Sequence, residues 1–417
     1  MPLVCIQWPR LGPPHFARLH AAHEVFSEQG VGLVALETAS ESDTYRWRVD
    51  DRPLPFRRET VFPGQSYHRL PSARIHAAVY AALERIQPDA LLIHSYSTPD
   101  AQATLRWARE HRRVAVCMAE SRAEDTPRSP YREAIKRALV AQFDAALASG
   151  SASTRYIVSL GMPPGCVTRG YSIVDNDYFA QGAEAVRQAR VRPAHLPGLA
   201  DPAPFFFASA RFMTRKNLPV LLRAFGAYRR RAEAAGHSPW RLVLLGDGEL
   251  RPALEALAEA EAPGAVTLPG WLELDALPAY YGLAGAFVHT AHVDQWGLVV
   301  NEAMAAGLPV IVSTGTGAAE DLVQDGRNGY TFAPEDEPRL ADLLLRVAHQ
   351  DDRDAMGRAS REIIGEWPAS LFATGLLEAI RRGTPRAARG LSPEAALVLG
   401  ALRVAARSPN DFHAVEF

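Results

Sequence analysis

Two carboxylates eight positions apart, Asp294 and Glu302, enclose a segment suited to phosphate and hydroxyl groups. Trp296, Gly297 and Leu298 lie between them, at the predicted start of a helix, where backbone N–H groups have no partner within the helix and point outward. Such a helix start favours a negatively charged phosphate. Glu302 falls a little over one turn after Leu298, near enough to reach a hydroxyl beside that phosphate. A nucleotide sugar offers both kinds of group.

Each acid also has a simpler interpretation. Asp294 could cap the helix, and Glu302 could be a solvated surface charge, because both roles are common for single carboxylates. The argument for a site therefore depends on the whole segment.

A second charged pair, Arg211 and Lys216, flanks a predicted turn between a strand at 205–208 and a helix. A forked guanidinium and a compact ammonium can together neutralise a pyrophosphate. Most such cations are surface charges, so the pair alone proves little. Lysine is rare in this chain, however, occurring at Lys136 and Lys216.

Glycine turns follow three further predicted strands. Gly246 and Gly248 form a Gly-x-Gly turn, which by itself is usually a tight turn. Trp271 follows Gly270, and residues 314–317 make another glycine turn.

In the first half of the chain, polar residues follow predicted strands, where parallel sheets place their ligands. His94 and Glu120 end or follow two such strands, and structural roles fit them equally well. Gly12 lies in the first loop and could admit a phosphate, whereas His15 fits a site or a helix surface.

The segment from Asp294 to Ser313 resembles the E-x7-E signature of retaining glycosyltransferases of the GT-B class, family four (glycosyl transferases group 1). That signature reads roughly Glu-x-Phe-Gly-Leu-x-x-x-Glu-Ala-Met-Ala-x-Gly-x-Pro-Val. The stretch around Arg211 and Lys216 resembles the family's Gly-Arg-x-x-x-x-Lys-Gly element, and the similarity continues in order over 205–332. The departures from the family pattern are Asp294 for glutamate, Trp296 for phenylalanine, and Ala210 and Asn217 for two glycines.

The resemblance implies a role for each matched residue. Asp294 would hold sugar hydroxyls, Glu302 the ribose, and the N–H groups of Trp296, Gly297 and Leu298 the sugar and phosphate. Arg211 and Lys216 would stabilise the leaving diphosphate. The remaining predicted donor contacts are Gly12, Gly246, Gly248 and Trp271, and His94 and Glu120 are the predicted catalytic or orienting residues of the acceptor half.

The elements that must position these residues alternate between short apolar runs and helical patterns, which indicates βα units and parallel sheets. Residues 190–204, rich in proline and alanine, fit a linker. We therefore predict an α/β protein of GT-B architecture, with two Rossmann-like domains facing a deep interdomain cleft. Residues 1–185 would bind the acceptor and 200–375 the donor, and the resemblance implies that helices from about 376 to 417 cross back onto the first domain.

A chain of 417 residues exceeds what one hydrophobic core usually supports, which predicts two domains. A net charge of −2 gives no global drive toward nucleic acid or an anionic membrane. Cys5, Cys117 and Cys166 are widely spaced and predict reduced core side chains. Because no apolar run reaches the length of about 18 residues that spans a bilayer, and because the N-terminus resembles a strand, we expect a cytoplasmic protein. The stretch 128–143 can form a basic amphipathic helix, which would allow at most peripheral membrane contact. Because acidic Glu133 interrupts it and the net charge is near zero, we favour a solvated surface helix.

The expected reaction is transfer of a sugar from a UDP- or GDP-sugar to the hydroxyl of a saccharide, natural product or lipid-linked acceptor. The resemblance implies retention of configuration, and no Asp-x-Asp motif stands in a suitable turn, so no obligatory metal is expected. The first loop lacks the Gly-x-Gly-x-x-Gly of a dinucleotide oxidoreductase. A nucleotide-sugar epimerase and a catalytically silent nucleotide-sugar-binding homologue remain alternatives.

Overall fold

The structure is a computed structural model that describes residues 1–43, 53–189, 193, 195–349, 351–384 and 390–405. Its strands are β1 (Leu3–Trp8), β2 (Gly32–Glu41), β3 (Arg57–Ser66), β4 (Ala90–Ile93), β5 (Val114–Ala119), β6 (Ala145–Ala148), β7 (Val167–Arg169), β8 (Phe205–Ser209), β9 (Arg241–Leu245), β10 (Val266–Thr267), β11 (Ala286–His289), β12 (Val310–Ser313) and β13 (Gly329–Phe332). Its α-helices are α1 (Pro13–Glu28), α2 (Ser72–Ile86), α3 (Pro99–Glu110), α4 (Pro130–Val140), α5 (Ser151–Ser159), α6 (Asn176–Ala189), α7 (Leu218–Ala234), α8 (Arg251–Glu261), α9 (Leu277–Leu283), α10 (Leu298–Ala305), α11 (Ala318–Leu322), α12 (Glu337–His349), α13 (Arg353–Gly365), α14 (Ala369–Gly383) and α15 (Pro393–Ala405).

The first compact unit comprises Met1–Ile173 together with the chain from Ala369 onward. Its parallel sheet has the strand order β3-β2-β1-β4-β5-β6-β7. Strand β4 is buried on both faces: Leu91 and Ile93 belong to the core with α2 and α3, whereas Leu92 packs with Leu19 of α1 and Phe372 of α14. A short continuous apolar run is typical of a parallel strand covered by helices on both sides.

Helix α14 lies on this sheet through close backbone contacts. Thr168 donates a hydrogen bond of 2.8 Å to the Gly375 carbonyl, and a side chain at Gly375 would come within 2.2 Å of the Arg169 carbonyl oxygen. Gly170, at φ +116°, would similarly meet the Leu371 carbonyl. Small residues on both partners therefore let a helix from the end of the chain pack on the first sheet.

The second compact unit, Val174–Pro368, contains a parallel sheet with the order β10-β9-β8-β11-β12-β13. Adjacent phenylalanines of β8 point to opposite faces. Phe206 packs with Tyr228 in the core under α7, and Phe207 packs with Tyr281 in the core under α9. The alternating side-chain directions of a strand thus build two cores from one apolar run.

The unit boundaries differ from the predicted ones. The sequence places the end of the first domain at 185, but α6 packs against α9 of the second unit, where Gly282 allows its backbone to approach Ala183 closely. Likewise, α14 begins at Ala369, before the predicted crossing at 376. The acceptor and donor roles of the two parts remain predictions.

Three strands that the sequence analysis does not predict, β3, β7 and β13, lie at sheet edges. Strand β3 is polar and mostly only partly buried, and the other two are short. An edge strand pairs on one side, so it need not carry the continuous apolar run by which central parallel strands are recognised.

Cys5 and Cys117 are buried core residues of β1 and β5, as predicted, and Cys166 packs against the same core. Burial raises the pKa of the Cys117 thiol to about 12, so it stays protonated. Within the described ranges, no helix is both long enough and apolar enough to cross a membrane.

A buried ion pair ties α3 to the sheet of the first unit. Arg109 donates two hydrogen bonds to the Asp144 carboxylate, at 3.0 and 2.5 Å, and both side chains are almost completely buried. The same carboxylate accepts the backbone N–H of Ala115 at 2.9 Å. Removing the cation would leave Asp144 charged and buried.

We therefore expect Arg109→Met to lower the free energy of unfolding by about 3–5 kcal/mol. Arg106 provides a matched control, because it lies on the same helix and forms an exposed pair with Glu110. Arg106→Met should change stability by less than about 1 kcal/mol. Denaturant unfolding of both variants measures the difference. Equal stabilities of the two variants would contradict a structural role for the buried Arg109–Asp144 pair.

Candidate functional site

Most of the predicted donor residues of the second half lie in segments that follow the carboxyl ends of β8, β9, β10 and β11. Glu302 lies within α10, and the glycine turn at 314–317 follows β12. These strands are neighbours in the order β10-β9-β8-β11-β12. Ligands of parallel α/β sheets bind at this edge.

The loop that carries Asp294 is fixed to the glycine turn after β12. Asp294 and Thr316 form an isolated parallel bridge, in which the Asp294 N–H donates to the Gly315 carbonyl at 3.0 Å and the Gly317 N–H donates to the Asp294 carbonyl at 2.9 Å. A side chain at Gly315 would come within 2.2 Å of the His292 carbonyl oxygen. The glycine turn therefore serves the close approach of the two loops.

The Asp294 carboxylate contacts two cationic or potentially cationic groups. Its Oδ2 lies 2.5 Å from Lys216 Nζ and 2.8 Å from His289 Nε2. Burial disfavours the charged carboxylate, but the charge of Lys216 and the hydrogen bond from His289 outweigh it and hold the pKa of Asp294 well below its usual range. Asp294 is thus an ionised acceptor beside the Lys216 ammonium, and their side chains are 15% and 12% exposed.

Lys216 reaches this position because the backbone after it is left-handed. Residues Thr214–Lys216 form a 3-10 turn, and Asn217 follows with φ +54°. The Asn217 side chain donates to the Pro334 carbonyl at 2.7 Å, and Thr290 donates to the Lys216 carbonyl at 3.0 Å. Asparagine tolerates this backbone region better than most residues, so its replacement of the family's glycine preserves the turn.

The Gly-x-Gly turn after β9 packs against the Arg211 loop. A side chain at Gly246 would lie 1.8 Å from the Ala210 carbonyl oxygen, and one at Gly248 would lie 2.5 Å from the Phe212 carbonyl oxygen. Both glycines have positive φ, +133° and +157°. The two glycines of the motif therefore contact the residues immediately before and after Arg211, whose side chain is partly exposed. Gly246 also donates its N–H to the carbonyl that precedes Trp271, at 3.1 Å.

Helix α10 begins at Leu298, one residue after the predicted start at Gly297, which is its N-cap with φ +90°. The Cβ position of Gly297 lies 3.4 Å from Asp294 Oδ2, so the start of the helix adjoins the ion pair. Trp296 turns its indole into the core, where Nε1 donates to Asn301 at 2.8 Å, and this leaves its backbone as the part near the site.

Glu302 is buried, with 8% exposure, and its Oε2 accepts a 2.7 Å hydrogen bond from Tyr281. Burial raises the pKa of Glu302 to about 7, although the Tyr281 hydroxyl opposes the shift. The surface-charge interpretation of Glu302 is therefore wrong. The capping interpretation of Asp294 is wrong too, because Gly297 occupies the N-cap.

The first loop of the other unit is held by two side chains. The Gly12 N–H donates to His15 Nδ1 at 2.9 Å, and the Leu11 N–H donates to the buried Glu37 carboxylate at 2.8 Å. Burial, together with the nearby Arg18 charge, lowers the pKa of His15 to about 3, so the ring is neutral. His15 thus holds the start of α1 and is not a free helix-surface residue.

His94 is part of a buried polar network in the first unit. Its Nδ1 lies 3.0 Å from Gln7 Oε1 and its Nε2 lies 3.0 Å from Thr98 Oγ1. Gln7 in turn donates to the buried Asp100 at 2.7 Å. Burial lowers the pKa of His94, while Asp100 opposes the shift.

Glu120 accepts a hydrogen bond of 3.2 Å from Ser172, which also contacts Ser149 at 2.7 Å. Gly12, His94 and Glu120 follow β1, β4 and β5, which are adjacent strands of the first sheet. The structure therefore gathers these three predicted residues at one edge of the first unit and the predicted donor residues at one edge of the second.

Sequence reasoning missed His289 and Tyr281. Each contacts one of the two predicted acids. A signal existed for His289, since a polar residue that ends the apolar strand β11 resembles His94 at the end of β4. Tyr281 lies in an apolar helix, and its sequence context gives no such signal.

Comparison with known proteins finds a family match in the second unit. Residues 197–363, which include the loops of the site, match the family described as glycosyl transferases group 1. The chain is 30% identical over 230 residues to the GDP-mannose-dependent alpha-(1-6)-phosphatidylinositol monomannoside mannosyltransferase of Mycobacterium tuberculosis. That match covers 53% of this chain and 55% of the relative, so the chain spans about half the length of this relative. A sulfoquinovosyl transferase of Arabidopsis thaliana is 33% identical over 126 residues, which cover 29% of this chain and 24% of that one.

Solved structures of other proteins share the fold. The HepE protein of Anabaena, in complex with UDP and glucose, has a TM-score of 0.68 at 16% identity and covers 91% of this chain and 100% of its own. A sucrose-phosphate synthase of Thermosynechococcus elongatus has a TM-score of 0.68 at 17% identity, with coverage of 90% and 98%. The family resemblance and the α/β fold class of two Rossmann-like domains are confirmed.

The elevated pKa of Glu302 makes the stability of the second unit depend on pH. The folded-state value of about 7 exceeds the 4.5 of an unfolded glutamate, so between these values the folded protein keeps a proton that the unfolded chain has lost. The contribution of protonated Glu302 to the free energy of unfolding is complete below about pH 4.5 and is lost as pH rises through about 7.

Glu302→Gln keeps the neutral shape, so it should match the wild type near pH 4.5 and be more stable at pH 8, by up to about 3 kcal/mol. Glu259→Gln, at an exposed position of α8, is the control and should behave alike at both pH values. Denaturant unfolding at the two pH values measures this difference, and the absence of any gain at pH 8 would argue against a buried, protonated Glu302.

The glycine turns allow a second prediction. Gly246→Ala should destabilise the second unit by more than about 2 kcal/mol, because it adds a collision with Ala210 to the backbone strain. Gly264 also has positive φ, but no atom lies within 4 Å of the position that a Cβ atom would take there, so Gly264→Ala adds left-handed backbone strain of about 1–2 kcal/mol without a collision. Thermal unfolding measures both variants, and an equal loss of stability in Gly246→Ala and Gly264→Ala would show that the close contact between Gly246 and Ala210 does not contribute to stability.

Proposed function

We propose that this protein is a glycosyltransferase that transfers a sugar from a nucleoside-diphosphate sugar to an acceptor hydroxyl with retention of anomeric configuration. The observation that carries the proposal is the convergence of Lys216, the ionised Asp294 and the start of α10 at one sheet edge. A cation and a helix N-terminus suit a diphosphate, and a carboxylate beside them suits sugar hydroxyls. The matched relatives are transferases, which favours transfer over epimerisation.

Each residue then has a chemical task. Lys216, Arg211 and the N–H group of Leu298 bind the diphosphate, and Asp294 accepts hydrogen bonds from the sugar. Glu302 accepts from the ribose hydroxyls, with Gly246, Gly248 and Trp271 beside the nucleoside. The acceptor half would supply Gly12, His94 and Glu120.

Catalysis depends on stabilising the leaving diphosphate. As the bond between the anomeric carbon and the phosphate oxygen breaks, negative charge grows on the diphosphate, where Lys216 and Arg211 lower its energy. The acceptor oxygen forms its new bond on the same face, and its proton passes to the departing phosphate oxygen. No divalent ion is required in this scheme, and the donor is a UDP- or GDP-sugar.

The first test is a thermal-shift panel of UDP-, GDP-, TDP- and ADP-sugars, with and without EDTA. One sugar nucleotide should stabilise the wild type by about 2.7 kcal/mol at a hundredfold excess over its dissociation constant. Lys216→Met should lose this shift, because it removes the cation at the diphosphate. Arg215→Met is the matched control, since Arg215 is the neighbouring, exposed cation.

If none of the sugar nucleotides stabilises the wild type, or if both variants lose the shift equally, the assigned site is wrong. Loss of the shift in EDTA would overturn the metal-independent scheme. Release of nucleoside diphosphate in the presence of acceptor hydroxyls separates a transferase from a silent binding homologue, which would bind the donor without turnover.

A further inference from the structure

His289 occupies the carboxyl end of β11, directly beneath the loop that carries Asp294. Its side chain is 3% exposed and its ring lies parallel to that of Phe287, with 6.4 Å between the centroids. Nε2 lies 2.8 Å from Asp294 Oδ2. His289 is therefore part of the buried support of the site and does not reach the solvent-facing side.

Both partners of Asp294 use the same carboxylate oxygen. Lys216 Nζ and His289 Nε2 lie 2.5 and 2.8 Å from Oδ2, and within the described part of the chain no hydrogen bond is made to Oδ1. Because the Asp294 side chain is 15% exposed, a ligand can still reach it. Oδ1 is thus the oxygen left to accept a hydrogen bond from outside the protein.

The direction of the His289 contact follows from charge. An ionised carboxylate only accepts hydrogen bonds, so His289 must donate from Nε2. Burial lowers the pKa of His289, and the adjacent Lys216 charge acts in the same direction, while Asp294 opposes both. The ring is therefore neutral, with its proton on Nε2.

We propose that His289 is a positioning residue for the donor sugar: it fixes the Asp294 carboxylate so that Oδ1 faces a sugar hydroxyl. This rests on the function proposed above. Lys216 cannot do this alone, because its ammonium is also drawn to the diphosphate and its long side chain is mobile when unpaired. His289 holds Asp294 from the strand end, so the acid keeps its orientation while Lys216 engages phosphate.

Two substitutions test the N–H donor. His289→Leu removes it at similar volume, whereas the side-chain amide of His289→Gln can place an N–H near the original Nε2. Titration of each variant with the stabilising nucleotide sugar and with the matching nucleoside diphosphate, by calorimetry, compares affinity for the sugar with affinity for the diphosphate. We expect His289→Leu to lower the affinity for the nucleotide sugar about 10- to 100-fold, because the loss of a hydrogen bond to a charged group has an effect of this size.

The affinity of His289→Leu for the nucleoside diphosphate should fall by less than about threefold, since Lys216 still binds this ligand. His289→Gln should restore most of the affinity for the nucleotide sugar. Equal weakening of both ligands would overturn the proposal, because the effect would then be on the fold or on Lys216. Unchanged affinity for the nucleotide sugar would overturn it as well.

A double-mutant cycle shows whether His289 acts through Asp294. In an Asp294→Asn background, His289→Leu should add less than about twofold to the loss, whereas full additivity would overturn the proposal. If His289→Leu does not fold, His289→Asn replaces it, because the shorter amide does not extend to Asp294 from the same backbone. A wild type that binds no nucleotide sugar would instead refute the proposed function, so the two failures are distinguishable.

Discussion

The contact between Lys216 and Asp294 joins two loops that the chain separates by 78 residues. It exists because β8 and β11 are neighbours in the second sheet, so the loops that follow them end at the same edge. Each side chain would be costly to bury alone, and each makes the other's charge acceptable. The orientation of Asp294, the environment of His289 and the charge offered to a phosphate all depend on this pair.

Glycines allow the loops at this edge of the sheet to pack closely against one another, which is a different role from binding a phosphate. Gly315 lets the turn after β12 approach the Asp294 loop, and Gly246 and Gly248 let the turn after β9 approach the Arg211 loop. In each case a Cβ atom would collide with a carbonyl oxygen of the neighbouring loop. These residues shape the site first by permitting backbone contact between loops.

The two acids of the Asp294 segment are eight positions apart, yet their environments push their pKa values in opposite directions. Asp294 has a cation beside it and stays ionised, whereas burial raises the pKa of Glu302 to about 7 and only the Tyr281 hydroxyl opposes this shift. Pairs of titratable groups separated in this way are typical of functional sites. Near neutral pH the site therefore combines a fixed negative charge with a carboxyl group that can change its charge.

The amino-acid sequence is sufficient to predict the features that are local in the chain: the buried central strands, the start of α10 near Leu298 and the family that residues 197–363 match. These follow from periodicity, glycine positions and motif order, which a linear pattern records. The pairing of His289 with Asp294, the burial of Glu302 against Tyr281 and the packing of α6 in the second unit became apparent in the folded structure alone. Those features depend on which strands are neighbours and which helix faces pack together, and through-space contacts leave no spacing along the chain by which they could be predicted.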